Sequence, residues 1–84
     1  MYNIYLERTA ERDLKRLQSQ DFWRIIEKIK VLSDNPRPAN CRKISGSKND
    51  WRIRIGDYRI IYEIDDSACA VKVYRVKHRK EAYR

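Results

Sequence analysis

Residues 51–64 alternate apolar and polar side chains around a central Gly-Asp pair, and no other segment constrains the fold as much. Alternation with a period of two is typical of a β-strand. Gly56 and Asp57 interrupt it, and glycine in the first central position suits a tight turn that needs a positive φ. The segment is therefore predicted to be a β-hairpin in which Ile55 faces Tyr58 and Arg54 faces Arg59.

The two faces of this predicted hairpin differ in chemistry. One face is apolar and carries Trp51, Ile53, Ile55, Tyr58, Ile60, Tyr62 and Ile64. The other carries Arg52, Arg54 and Arg59. Arginines directly opposite each other repel at a cost of up to about 1 kcal/mol, and an anion between them would relieve it. The basic face is thus either a solvated surface or an anion-binding site.

Two helices are predicted before the hairpin, after a short first strand marked by Tyr2, Ile4 and Leu6. The first helix begins with Thr9 as its cap. Its apolar stripe is Ala10, Leu14 and Leu17. The second begins with Ser19 or Asp21 as its cap and ends at Asn35-Pro36. Its apolar residues are Phe22, Ile25, Ile26, Ile29 and Leu32.

The remaining segments are predicted to add strands to the hairpin. Residues 34–50 are mostly loop, with a brief strand at 41–44; residues 65–68 form a turn, and residues 69–76 form the last strand. Pairing of Ile64 with Cys69 places Arg59 opposite Tyr74. The chain beyond the last strand then emerges beside the arginines, and it brings four further candidates to that end of the sheet: Lys77, His78, Arg79 and Tyr83.

These elements predict a single α+β domain over residues 1–84, in the order β-α-α-β-β-β(-β). A helical hairpin is expected to pack on one face of a small antiparallel sheet. The opposite face of the sheet is expected to be open and basic.

Composition narrows the partners and the chemistry. The chain has 20 lysines and arginines against 12 acidic residues, a formal charge of +8, which favours an anionic partner. No apolar run approaches the roughly 20 residues that span a bilayer, and no signal peptide opens the chain, so no membrane partner and a cytoplasmic location are expected. Cys41 and Cys69 lack zinc-ligand spacing, so reduced thiols and no metal or other cofactor are predicted.

The arginines suit phosphate oxygens but cannot accept a proton as general bases. They can stabilise the charge that develops when a ribose 2′-hydroxyl attacks the adjacent phosphodiester. Proton transfer needs another group. His78 is a candidate because histidine is the side chain that ordinarily titrates near neutrality. Tyr83 can donate a proton if nearby cations lower its pKa.

Three segments together resemble the RelE branch of the RelE/ParE toxin superfamily: residues 43–46 (Lys-Ile-Ser-Gly), residues 51–62, and the tail from Val76 that includes His78, Arg79 and Tyr83. The resemblance implies a type II toxin that cleaves mRNA in the ribosomal A site without metal. It also implies three partners: the ribosome, mRNA and a small antitoxin that forms a hetero-oligomer with the toxin.

The resemblance also implies residue roles. Arg59 matches the family's arginine and would hold the scissile phosphate, Arg79 would stabilise the transition state or contact the neighbouring phosphate, and Tyr83 would stack on the nucleotide or assist proton transfer. Arg52 and Arg54 stand where the best-known enzymes carry lysines, so base duty shifts to His78 or stays unassigned. Four cations would bind substrate: Arg52, Arg54, Lys43 and Lys77.

Two other functions stay open at the level of sequence. The first is a ParE-like toxin that inhibits DNA gyrase and performs no chemistry of its own. The second is a degenerate member of the superfamily that binds only its antitoxin.

Overall fold

The computed structural model describes residues 1–80, in which the hydrophobic patterns of the sequence form two helices and five strands. In chain order these are β1 Asn3–Leu6, α1 Arg8–Lys15, α2 Ser19–Asp34, β2 Cys41–Lys43, β3 Asp50–Ile55, β4 Tyr58–Asp65 and β5 Ala70–His78. The predicted α+β class and element order are confirmed.

The five strands form one sheet in the order β1-β5-β4-β3-β2. Neighbouring strands are antiparallel except at one edge, where β1 pairs parallel to β5. The sheet is therefore mixed, whereas the sequence predicted an antiparallel one. A parallel pair cannot be joined by a tight turn, and here the whole chain from α1 to β4 separates its two strands.

The hairpin of β3 and β4 has the predicted register. Trp51 pairs with Tyr62, Arg54 with Arg59, and Ile55 with Tyr58 around the turn. Gly56 has a φ of +55°, the left-handed value that the turn requires. The alternation in the sequence predicted the register correctly because the strand lengths, the turn residues and the polarity of the two faces all agree with one pairing.

The predicted pairing of β4 with β5 is wrong. Ile64 pairs with Val71 instead of Cys69, and Arg59 pairs with Lys77 instead of Tyr74. A four-residue turn at 66–69 shifts the register by two residues, and a bulge opposite Ile61 and Tyr62 adds a third. A bulge inserts a residue without changing composition, so the alternation did not reveal it. β5 consequently extends to His78, two residues beyond the predicted end.

Both helices cover one face of the sheet, and the core lies between the helices and the sheet. The fully buried side chains of this core include Ile25, Leu32, Ile53, Ile60, Tyr62, Ile64, Val71 and Val73. The hydroxyl of Tyr62 donates a hydrogen bond to the carbonyl of Pro36 at 2.7 Å, which satisfies its one buried polar atom.

The predicted helix caps are not observed. Neither α1 nor α2 has a side-chain hydrogen bond at its N-cap, where Glu7 and Gln18 stand. Thr9 instead donates its hydroxyl hydrogen to the carbonyl of Tyr74 at 2.6 Å, and so ties α1 to β5. Ser19 is the first residue of α2, and Asp21 lies in its first turn.

No helix within residues 1–80 is long and apolar enough to cross a membrane. Cys41 and Cys69 are free thiols.

Candidate nucleic-acid interface

The sheet surface turned away from the helices carries a set of cations that are directly opposed across strands. Directly paired residues of neighbouring strands project to the same side of a sheet. Arg42 on β2 pairs with Arg52 on β3, Arg54 on β3 pairs with Arg59 on β4, and Arg59 pairs in turn with Lys77 on β5. We call these five side chains the arginine face. Each pairing places like charges together, so the arrangement favours an anion among them.

A cavity of about 410 Å³ lies on the arginine face. Its lining residues are Asn40, Arg42, Arg52, Arg54, Gly56 and Arg59. Arg52 and Arg54 are exposed, while Arg59 is half-buried. No carboxylate of residues 1–80 lines this cavity, so an entering anion meets four guanidinium groups and one amide.

A second cavity of about 400 Å³ lies on the other side of the hairpin turn. It is lined by Arg54, Gly56, Arg79 and Lys80. The backbone N–H of Arg79 donates to the carbonyl of Asp57 at 2.6 Å, which holds the segment after β5 against the turn. The guanidinium Nη1 lies 3.7 Å from the Asp57 Oδ1. Arg54 and Gly56 line both cavities, so the turn forms the ridge between them.

Arg24 on α2 reaches the same ridge from the helix side. A methyl group built on Gly56 would lie 2.2 Å from the Arg24 Nη2 and 3.4 Å from its Cζ. Glycine is therefore needed at position 56 both for its positive φ and for the space that the guanidinium occupies. Arg24 adds one more cation at the turn, from a helix distant in sequence.

Lys43 does not lie on the arginine face. It pairs with Trp51, whose side chain belongs to the helix-facing side of the sheet. Its neighbour Arg42 takes the position expected for Lys43. Side chains alternate between faces along a strand, so a shift of one residue changes the face.

His78 is likewise on the side opposite to the arginines, although the sequence predicted it beside them. It pairs with Tyr58, and the two rings meet edge-to-face with centroids 5.2 Å apart. Around them is a cavity of about 140 Å³ that Asp13 and Arg16 of the helix layer also line. The Nδ1 of His78 accepts a hydrogen bond from the backbone N–H of Lys80 at 3.2 Å. The bulge in β5 causes this reversal, because it exchanges the faces of all later residues and brings Lys77 to the arginine face instead.

Arg79 is at the predicted end of the sheet, next to the hairpin turn. Tyr83 lies outside the described residues.

Two carboxylates border the arginine face on the same surface of the sheet. Asp50 and Glu63 pair directly across β3 and β4, two residues further along the strands. The Tyr74 hydroxyl donates a short hydrogen bond to Glu63, and this bond raises the pKa of Tyr74 well above its usual value. Lys72 on β5 pairs with Glu63 in turn, so beyond Arg52 the surface changes from cationic to mixed charge.

Within residues 1–80 no group of three or more histidine, cysteine or acidic side chains is arranged to hold a metal ion.

The model of the family described as the ParE toxin of the type II toxin–antitoxin system parDE matches residues 4–83, nearly the whole chain. The chain belongs to the RelE/ParE toxin superfamily. Its relatives place it in the RelE-like branch. It is a type II toxin-antitoxin toxin by this membership.

Two relatives from Mycobacterium tuberculosis are similar along almost their full lengths. Toxin RelG is 33% identical over 99% of this chain and 97% of the relative. Toxin RelE is 30% identical over 99% of this chain and 87% of the relative.

Solved structures show the same fold in complexes with antitoxins. The toxin–antitoxin complex RelBE2 from Mycobacterium tuberculosis contains a chain that is 30% identical, with a TM-score of 0.83 over 93% of this chain and 98% of that one. The archaeal RelE–RelB complex from Pyrococcus horikoshii has a TM-score of 0.83 at 25% identity, over 93% and 94% of the two chains.

In this RelE-like toxin, sequence reasoning missed three residues of the site: Asn40, Arg42 and Arg24. Strand parity indicates that one of Arg42 and Lys43 joins the arginine face, since a strand at residues 41–44 paired with β3 sends every second side chain there, but the register decides which. Asn40 precedes that strand by one residue and shares its parity with Arg42. Arg24 had no local signal, because its contact with Gly56 depends on how α2 crosses the sheet.

Proposed function

We propose that this toxin is a metal-independent endoribonuclease that cleaves mRNA in the ribosomal A site and so inhibits translation. The observation that carries the proposal is the cavity on the arginine face, where guanidinium groups from β2, β3 and β4 converge. Guanidinium groups bind phosphate oxygens through paired N–H donors. Preorganised donors of this kind stabilise a phosphorane-like transition state more than the ground state.

The proposed roles follow the position of each side chain. Arg59 holds the scissile phosphate, with Arg54 opposite it on β3. Arg52 and Lys77 bind the flanking backbone. Arg79, beside Arg54 across the turn, stabilises the charge of the transition state from the second cavity.

His78 does not take the proton-transfer role that was expected for it. Its ring lies behind the sheet relative to the arginines, and its Nδ1 accepts the Lys80 N–H. We therefore give His78 a positioning role, in which it orders the turn that carries Arg79. Lys43, on the same side of the sheet, has no place in this cavity. The base is then Tyr83 or a group of the ribosome, whose contribution explains why so open a site would act only there.

The proposed protein partner is a small antitoxin. The complexes named above join RelE toxins to RelB antitoxins, and this chain shares their fold. Its charge of +8 would complement an acidic antitoxin segment.

Induction in cells followed by mapping of mRNA ends tests the proposed activity. We expect new 3′ ends within A-site codons, and Arg59→Ala should lower the cleavage rate by about 100-fold or more. Arg12→Ala, which removes the same charge from the outer surface of α1, should cleave normally. Circular dichroism and thermal melting verify that both variants are folded.

A second candidate is gyrase inhibition, because the matching family model describes a ParE toxin. It predicts growth arrest with intact mRNA and a change in DNA supercoiling. That result would overturn the nuclease proposal. No arrest would point to a chain that only binds its antitoxin, and arrest with neither signature would overturn both candidate activities.

A further inference from the structure

The cavity on the arginine face contains two separate pairs of opposed arginines. Arg54 and Arg59 form one pair near the turn, and Arg42 and Arg52 form the other at the β2 edge. Each pair places like charges directly across a strand boundary. Arg42 and Arg52 thus place a second concentration of positive charge next to the first, and this favours a second anion.

The spacing of the two pairs suits consecutive phosphates. Arg52 and Arg54 are two residues apart on β3, about 6.6 to 6.8 Å along a strand, and the two pairs are also offset by one strand spacing of about 4.8 Å, so their centres lie about 8 Å apart. Neighbouring phosphates of an extended single strand of RNA are separated by a comparable distance. A strand with one phosphate between Arg54 and Arg59 therefore brings the next phosphate to Arg42 and Arg52.

The charge distribution also fixes the direction of this track. Asp50 lies two residues beyond Arg52 on the same face, opposite Glu63, and repels an RNA backbone that continues along β3. The β2 edge carries the exposed Arg42 and, next to the strand, the exposed amide of Asn40. An amide both donates and accepts hydrogen bonds, as a ribose hydroxyl requires. Beyond Arg52, the β2 edge therefore offers the backbone a path that avoids these two carboxylates.

We propose that Arg42 and Arg52, with Asn40 beside them, form a second phosphate subsite that binds the RNA linkage next to the scissile one. This inference rests on the proposed ribonuclease function. It assigns to Arg42 a binding role that was predicted for Lys43.

A double-mutant cycle that combines variants of Arg42 with modified mRNA substrates tests the subsite. Single-turnover cleavage is measured on ribosomes programmed with mRNA that carries either natural phosphates or one uncharged methylphosphonate, placed in turn on the 5′ and the 3′ side of the scissile linkage. With natural mRNA at subsaturating toxin, Arg42→Ala should be several-fold slower than the unsubstituted protein, and Arg42→Lys should recover part of the loss. With methylphosphonate at the linkage that Arg42 binds, the unsubstituted protein and Arg42→Ala should cleave at about the same rate, because both have lost the same contact.

Matched variants separate this subsite from general electrostatics. Lys43→Ala removes the adjacent positive charge on the other side of β2, and Arg12→Ala removes one from α1. If Lys43→Ala slows cleavage as much as Arg42→Ala, or if the Arg42 and methylphosphonate effects multiply at both positions, the second subsite is wrong. If the unsubstituted protein does not cleave, or Arg59→Ala cleaves normally, the proposed function itself fails and the subsite with it.

Discussion

Gly56 is the residue at which backbone conformation and the candidate site depend on each other. Its φ of +55° is a conformation in which a side chain costs about 1 to 2 kcal/mol. Its hydrogen-only side chain also leaves the space that the Arg24 guanidinium fills. Because Gly56 lines both cavities, a change here alters the turn and the placement of cations around it.

Gly56→Ala should therefore destabilise the protein by about 1 to 3 kcal/mol in urea unfolding. Gly46→Ala is the matched control for strain, since Gly46 has a φ of +85° with no atom within 4 Å of the added methyl group. Gly56→Ala should cost more than Gly46→Ala, and the excess should vanish in an Arg24→Ala background. Equal losses from Gly56→Ala with and without Arg24 would show that the contact has no energetic effect.

Tyr62 is a buried residue whose phenol donates a hydrogen bond to the Pro36 carbonyl. Burial raises the pKa of Tyr62 well above its usual value, with a smaller contribution from the nearby Cys41. The hydroxyl thus stays a donor, and its bond joins β4 to the segment after α2.

Tyr62→Phe should lower the free energy of unfolding by about 1 to 3 kcal/mol, because the Pro36 carbonyl loses its donor. Tyr5→Phe removes a hydroxyl from an exposed tyrosine and should have almost no effect. Urea unfolding of both variants gives the comparison. A loss no larger than that of Tyr5→Phe would mean that water replaces the missing donor.

At the scale of elements, α1 supplies hydrogen-bond partners to the part of β5 that does not pair with β1. β1 pairs only with the first half of β5, from Ala70 to Val73. Beyond it, the buried carboxylate of Asp13 accepts the backbone N–H of Val76 at 2.9 Å and the Nε of Arg75 at 2.8 Å. A helix side chain thus takes the place of a neighbouring strand, which positions the end of β5 where Lys77 and His78 lie.

Asp13→Ala should lower the free energy of unfolding by about 1 to 3 kcal/mol, because the Val76 N–H is left without its acceptor in a buried position. Asp13→Asn keeps an oxygen acceptor and should cost less. Glu11→Ala on the exposed side of α1 is the control and should change stability by no more than about 0.5 kcal/mol. Amide hydrogen exchange at Val76 measures the local effect, and unchanged protection in Asp13→Ala would contradict this role.

At the scale of the whole molecule, a polar cluster holds together the end opposite to the hairpin turn. The carboxylate of Asp66 accepts hydrogen bonds from Arg37 at 2.8 and 3.2 Å and from the Tyr2 hydroxyl at 2.6 Å. Arg37 also lies over the Trp51 ring, 5.2 Å from its centroid. Four regions meet here: the β1 start, the segment after α2, β3 and the β4–β5 turn.

This cluster makes stability depend on pH. The hydrogen bond from Arg37, followed by that from Tyr2, lowers the pKa of Asp66 below its usual value. A lowered folded-state pKa contributes stability that is fully present above the unfolded value of about 3.9 and is lost as the pH falls through the folded value. The melting temperature difference between the unsubstituted protein and Asp66→Asn should therefore be largest near neutral pH and should shrink below about pH 4. Glu11→Gln, measured alongside, should show no such trend, and a constant Asp66→Asn difference down to pH 2 would contradict the linkage.

The sequence alone determined the elements and the hairpin. Alternation at residues 51–64, the Gly-Asp turn and the helical stripes are local signals, and each side chain there reports its own environment. Arg52, Arg54 and Arg59 were placed on one face because β3 and β4 are joined by a turn whose length fixes their register. The family resemblance rested on the hairpin together with residues 43–46 and the tail from Val76.

Only the tertiary structure decided which residues complete the arginine face. Lys77 instead of His78, and Arg42 instead of Lys43, depend on pairings between strands that a longer turn, a bulge and a separate edge strand control. Because side chains alternate with a period of two, one inserted residue exchanges the two faces, and composition does not change when it does. The same holds for Arg24 and Asp13, whose contacts come from helix packing between segments far apart in the chain.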